Sequence, residues 1–434
     1  MSLITSQSLF AETLANLRSQ MSTAPIPEGF ADWQNLRKSA LRYLETAKLP
    51  TTQDEDWRFF DLKALCQQSF HVATTQIVAV ERLPGLGKPL VFSNGFAQTT
   101  SLELGQGVYV GSLRRLPTPQ RSRIFEYLNQ QPGAQTIFRA FNSAGFSDVA
   151  VVWLSANTVL ETPVHIYFQG DSDENAQFIQ PRTLVIAETG SKATLVEHYV
   201  SKSEKAPLWT NTVTEIVLGS NAEINHVRWQ QEADANFHLG LSLITQERDS
   251  RYRGTTLDLG GRLARHDYQI FPTGPQTLTE LNGLVVATGE QVSDLHSLIS
   301  LTEPHASTDQ LHKCVVADRA RTVFNGKVLV PQAAQFTNAA QLNRNLLLSP
   351  KARVDTKPEL QITADNVKCT HGATVSQLEA NEIFYLLSRG LDEMAARQLL
   401  LSAFIAEILQ RLPVPELRPI LETAISEKIS QISA

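Results

Sequence analysis

The chain changes the period of its apolar positions twice. Over residues 1–90, Leu9, Phe10, Leu14 and Leu17, and then Leu36, Leu41, Tyr43 and Leu44, recur at three- and four-residue steps. Those steps predict an N-terminal helical domain punctuated by Pro25, Pro27 and Pro50. Toward its end the pattern gives way to short β-rich runs such as Ile77 to Val80 and Val108 to Val110. From 91 to 375 the chain is a succession of short runs, VVWL, VHIYF, TLVIAE, ATLVEHYV, TEIVLG, EINHVRWQ and HLGLSLI, rich in β-branched residues and broken by Gly, Asn, Asp and Ser. One helical insertion is expected near 119–142. After 376 the helical period returns. EANEIFYLLSR runs to Gly390, Asp392 opens a second helix with Leu401, Phe404, Ile405, Ile408 and Leu412 on one stripe, and a third follows Pro413, Pro415 and Pro419.

The turns of the middle region keep a fixed spacing. Gly190 and Gly219 lie 29 residues apart, Gly260, Gly289 and Asp318 follow one another at the same 29-residue step, and Pro350 comes 32 later. Strand, tight turn and return strand at a constant period are how a stacked β-solenoid is written. A β-sandwich needs no such period and rarely continues beyond about 200 residues as one domain. The expected architecture is therefore a parallel β-helix core flanked by N- and C-terminal helical domains.

Composition narrows the function. With 38 basic and 44 acidic residues the formal charge is −6, which provides no field to gather nucleic acid. Mean hydropathy is −0.15, and the most apolar run, 399–409, is shorter than the roughly 18 residues that span a bilayer. The opening residues lack a basic stretch followed by an apolar block, so a cytoplasmic location is expected. Cys66, Cys314 and Cys369 are odd in number and widely spaced, which argues for free thiols. PGLGKPL and GQGVYVG fail as phosphate loops, and no GxSxG, HExxH or EF-hand string occurs.

Two places hold soft ligands close together. His312 and Cys314 in LHKCVVAD, and Cys369 and His371 in KCTHGAT, are each two residues apart, a spacing that puts both side chains on one face of a strand. Thiolate and imidazole together suit iron or zinc. A buried cysteine acting as a small hydrophobe is the ordinary alternative and the preferred one for Cys314. Cys369 and His371 follow the polar string ADNVK and precede Gly372, which favours access.

Three stretches, DEDWRFFDL, NEIFYLLSRGL and the run from FNGKVLVPQ through KCTHGAT, resemble the SufB/SufD family of iron–sulfur cluster assembly proteins. The string KCTHGAT, and the absence of a cysteine in QLNRNLLL, are similar to the SufD branch. The resemblance implies a right-handed parallel β-helix that pairs with SufB and carries the SufC ATPase on its C-terminal helices; the sequence leaves open whether the chain alone is a homodimer or a monomer. It also implies a transient iron–sulfur cluster at the SufB interface, with His371 as the implicated residue and Cys369 the second. Leu401, Phe404, Ile405 and Ile408 then become the candidate SufC dock. The isolated chain is expected to hold no stable cluster, to catalyse nothing, and to bind neither nucleic acid nor membrane. The competing reading is a stand-alone β-helix enzyme acting on polysaccharide, with Asp258, Glu280 and Asp318 as its carboxylates.

Overall fold

The computed structural model describes residues 6–77, 80, 82–201, 205–430 and 432, the side chains of 6–10 excepted. Val78 and Ala79 of the 77–80 run, and the side chains of Leu9 and Phe10, lie outside the described residues.

The alternating, β-branched sequence folds into two facing sheets that the chain visits in turn, once each per coil, for about seven turns. Within one sheet Lys192, Glu223, Arg251, Leu278, Ser307, Asn338 and Lys368 lie side by side in successive parallel strands. In the other, Trp209, Phe237, Leu263, Val292, Arg321 and Arg353 do the same. We call these the first and second sheets. Pairing in the first sheet begins upstream, where Leu90–Ser93 joins Val164–Gly170.

The 29-residue repeat is present, but the turns that reveal it belong to two separate stacks. Gly190 and Gly219 lead into strands of the first sheet, whereas Gly260, Gly289, Asp318 and Pro350 lead into strands of the second. Gly289 and Asp318 take positive φ of 61° and 54°, a backbone that glycine and aspartate tolerate best. In the other stack the left-handed residue after Gly219 is Asn221.

Side chains alternate between the interior and the two outer faces. Ile216, Ile244, Ile270, Ile299, Val328 and Leu360 stack in register as one interior ladder. Burying each aliphatic side chain contributes roughly 1.5–3 kcal/mol. Polar side chains share the interior with these apolar ladders, and several of them are paired. His226 bridges Glu197 at 2.9 Å and Tyr252 at 3.0 Å, Arg228 meets Asp258 at 2.6 Å, and His238 meets Glu232 at 2.7 Å.

Each outer face is covered by helices. On the second sheet, Trp209, Phe237 and Leu263 receive Leu17, Phe60, Phe70 and the Ile137–Gly145 helix. In the N-terminal helix Ala31–Tyr43 the buried face is Trp33, Arg37 and Ala40, and Tyr43 is exposed. On the first sheet, Val227, Trp229, Leu257, Leu284, Leu311 and Val315 lie beneath the helices Glu393–Leu409 and Arg418–Ser430. Gly390, at φ 92°, closes the short helix Ala380–Ser388, and the Asp392 carboxylate caps the next by accepting from the Ala395 amide at 2.8 Å.

Candidate functional site

The last strand of the first sheet, Lys368–Ser376, pairs on one side with Asn338–Leu347 and ends the stack. Cys369 stands beside Ala339 and His371 beside Gln341, both inward-facing neighbours, so both side chains point along the interior face of the open coil. No further coil covers that face. Cys369 is half-buried, His371 is exposed, and Val375 and Ile362 of the same coil keep 48% and 38% of their surface. Burial pushes the Cys369 thiol above the usual range, opposed by its hydrogen bond with the Ala339 backbone. Taking up a metal there would displace the thiol proton. A methyl group on Gly372 would only graze Leu342, so the backbone beside His371 is open to approach.

Behind His371 the interior continues as amides and hydroxyls. Gln341 donates to Gln310 at 2.9 Å, Gln310 to Ser297 at 2.8 Å, and Asn345 to Asn343 at 2.6 Å. These residues hold the terminal coil without adding a charge to it.

His312 and Cys314 are not part of this site. Both are buried two coils back, His312 stacked on Phe324 with its pKa pushed down to about 4 and Cys314 pushed up to about 12, each by burial. Cys314 packs among Val285, Ala287, Val316 and Ala320 as a small core residue. All three cysteines are free.

The apolar stripe of the C-terminal helix requires a correction. Leu401, Ile405 and Ile408 are 6%, 5% and 0% exposed because they cover this chain's own first sheet, and Phe404 lies under the Lys313 ammonium at 4.4 Å. Sheet residues such as Trp229 and Leu257 need that cover, which turns Leu401, Ile405 and Ile408 away from solvent and leaves Phe404 part-exposed. The apolar residues that do face solvent here are Phe384, Tyr385, Leu387, Met394 and Leu399. Phe384 and Tyr385 stand adjacent in NEIFYLLSRGL, so their helical phase away from the body is the one signal the sequence offered.

The carboxylates of the polysaccharide reading are engaged elsewhere. Asp258 is buried against Arg228, Glu280 accepts from Arg253 at 2.7 Å, and Asp318 accepts from the Gly289 amide at 2.8 Å. Among the described residues no group of three or more His, Cys, Asp and Glu could hold a metal ion. No helix among them is long and apolar enough to cross a membrane.

Fold and site together define a β-solenoid protein with a thiol and an imidazole on an uncapped terminal coil. Residues 168–404 match the model of the SUF system FeS cluster assembly SufBD core domain, and 12–166 match the SufBD protein N-terminal region. The chain belongs to the SufBD family of the SUF iron–sulfur cluster assembly system. It is 44% identical over 408 residues to an iron–sulfur cluster assembly SufBD family protein of Synechocystis, covering 90% of each chain. It is 35% identical to protein ABCI7, chloroplastic, of Arabidopsis thaliana, covering 94% of this chain and 87% of the relative. To the iron–sulfur cluster assembly protein SufD of Escherichia coli it is 29% identical, covering 86% of this chain and 87% of that one.

Proposed function

We propose that this chain is a SufD-type scaffold subunit that pairs with SufB through its open terminal coil and contributes His371 and Cys369 to a transient iron–sulfur site. The observation that carries this reading is the uncapped strand Lys368–Ser376, with an exposed imidazole and a half-buried thiol on its interior face. An exposed strand edge is a template for another chain, and solenoids require their ends covered. One thiol and one imidazole are too few to keep a cluster, so the remaining ligands come from the partner and the cluster is cargo rather than a resident cofactor. The isolated chain catalyses nothing and pairs with a second copy of itself when SufB is absent. The compartment is cytoplasmic, with no nucleic acid or membrane as ligand.

The SufC ATPase seats on the C-terminal helices through Phe384, Tyr385, Met394 and Leu399, which face solvent, in place of Leu401, Phe404, Ile405 and Ile408. Co-expression with SufB and SufC, with purification through a tag on this chain, tests the whole reading. Both partners should be retained, and His371→Ala should leave the complex assembled while anaerobic iron and sulfide build-up fails. A tagged chain that retains neither partner would end the scaffold reading. A His371→Ala complex that builds clusters at the normal rate would remove His371 from the site.

A further inference from the structure

Residues 54–60 leave the N-terminal domain and lie across the outer face of the second sheet at its open end. Beneath them the strands Leu263–Pro272, Val292–Ser300, Arg321–Val330 and Arg353–Ile362 turn two rows of side chains outward. Arg265, Asp294, Val323 and Asp355 stand side by side in one row, and Asp267, His296, Asn325 and Lys357 in the other. Farther back the same face is apolar and receives apolar side chains, as at Trp209 and Phe237. At the open end it is charged, and what covers it is the segment DEDWRFF.

The segment is seated on Arg265. That guanidinium is 4% exposed, meets Asp294 at 2.6 Å and Asp267 at 2.9 Å, donates to the Asp56 carbonyl at 2.6 Å, and lies 4.0 Å from the centre of the Trp57 ring. Trp57 in turn packs on Phe60 and Phe138, so the seat is tied to the N-terminal domain. From there the segment reaches the last coil at two points. Phe59 has the guanidinium groups of Arg58 and Arg321 over its ring at 5.5 and 5.1 Å, and Arg321 bonds Asp355 at 2.6 Å. Glu55 accepts from Lys357 at 2.5 Å. An exposed ion pair such as Lys357–Glu55 contributes little by itself, whereas a cation stacked on an indole and withdrawn from water holds more strongly.

From these contacts we infer that residues 54–60 are a positioning strap, which fixes Arg353–Ile362 to the strands beneath it and so sets the shape in which the open coil meets SufB. The SufB pairing is that of the preceding reading, on which this inference rests. Trp57 is the anchor, and Phe59 and Glu55 are the points of hold. The strap is needed because Arg353–Ile362 pairs on one side only, with Arg321–Val330. A strand with one neighbour opens at low free energy, and a partner that must order it first binds more weakly by the fraction of time it is out of place. The other strand of that coil, Lys368–Ser376, has no such cover and is largely exposed, whereas 354–356 and 358–360 are half-buried.

The test uses the full chain, with hydrogen exchange of the free chain and retention of co-expressed SufB as its two readouts. Trp57→Ala should speed exchange across 353–362 about tenfold, the size of a lost cation–π seat, and leave Glu223–Gln231 of the first sheet unchanged. It should also lower the SufB retained, and Trp57→Phe, which keeps a ring over Arg265, should restore most of both. Glu55→Lys, at an exposed position opposite Lys357, should reproduce the pattern at about threefold without disturbing the core, so a Trp57→Ala chain that does not fold leaves the test standing. Unchanged exchange at 353–362, an equal rise in Glu223–Gln231, or loosening of 353–362 with SufB retention unchanged overturns the strap and leaves the pairing reading in place. An unmodified chain that retains no SufB overturns both.

Discussion

Gly283 and His312 face one another on adjacent coils, and the side chain that one lacks is the space that the other fills. A methyl group at 283 would overlap the His312 ring, which lies flat against Phe324 at 5.1 Å and has no room to withdraw. Gly283→Ala should therefore destabilise the chain by ~1–3 kcal/mol through overpacking. Thermal unfolding checks this, and the informative variant is the double one. Adding His312→Ala should recover part of the loss, whereas strictly additive losses would show that the two positions do not compete for space.

The spacing of Gly289 and Asp318 reported the coil length because a tight turn repeats wherever the chain reverses, and turn chemistry is local. Which sheet a turn feeds is not local, so the two turn stacks looked like one series. Cys369 and His371 were legible as a pair because alternate strand positions share a face, and His312 and Cys314 satisfied the same rule. What separates the pairs is that one lies at the end of the stack and the other two coils inside it. The stripe of Leu401, Ile405 and Ile408 was likewise visible as a stripe, but amphipathicity names a buried face without naming what buries it.

Acid should weaken the fold sooner than its carboxylates alone require. His165 and His312 are both pushed down to about 4 by burial, against an ordinary value of 6.5. Below pH 6.5 the unfolded chain takes up protons that the folded chain refuses, so stability is full above 6.5 and falls until the pH reaches about 4. Each histidine contributes a loss of roughly 3 kcal/mol over that window. Thermal midpoints measured between pH 7 and 4.5 should drop, and His165→Leu should flatten the slope. An unchanged slope would mean that His165 gains a partner for its protonated ring.

In the native chain the three thiols should differ in reactivity. Cys66 and Cys314 are buried and pushed up to about 11 and about 12, while Cys369 is half-buried at the open coil. The thiolate is the reactive form, so mild alkylation near pH 8 should modify Cys369 first, and all three only in denaturant. Peptide mass spectrometry distinguishes the sites. Early labelling of Cys314 would show that the interior opens readily.

Removing residues 378–434 should not yield a folded solenoid. The deletion would bare Val227, Trp229, Leu257, Leu284 and Val315 as one apolar face and leave the Lys313 ammonium without its carboxylate. The expected product is insoluble or associated, whereas Phe384→Ser with Met394→Ser, both at exposed positions, should fold as the parent does. Circular dichroism and size-exclusion chromatography decide between them. A soluble, monomeric truncation with full strand content would show that the helices do not support the sheet.

Lys313 and Glu407 should prove strongly non-additive. Lys313 is buried on the same face of its strand as Leu311 and Val315, where its ammonium donates to the Phe404 carbonyl and meets the Glu407 carboxylate. Glu407→Gln removes the charge but leaves the carbonyl bond, so it should cost about 1–3 kcal/mol, the penalty of a buried group left partly unsatisfied. Lys313→Met replaces the cation with an apolar chain of similar length in an apolar setting, and buried ion pairs exchanged for packed hydrophobes are often neutral or stabilising. The double variant should therefore be more stable than Glu407→Gln alone, as measured by denaturant midpoints. If the two losses simply add, Lys313 is held by packing against Phe404 and its tie to the helix is not electrostatic.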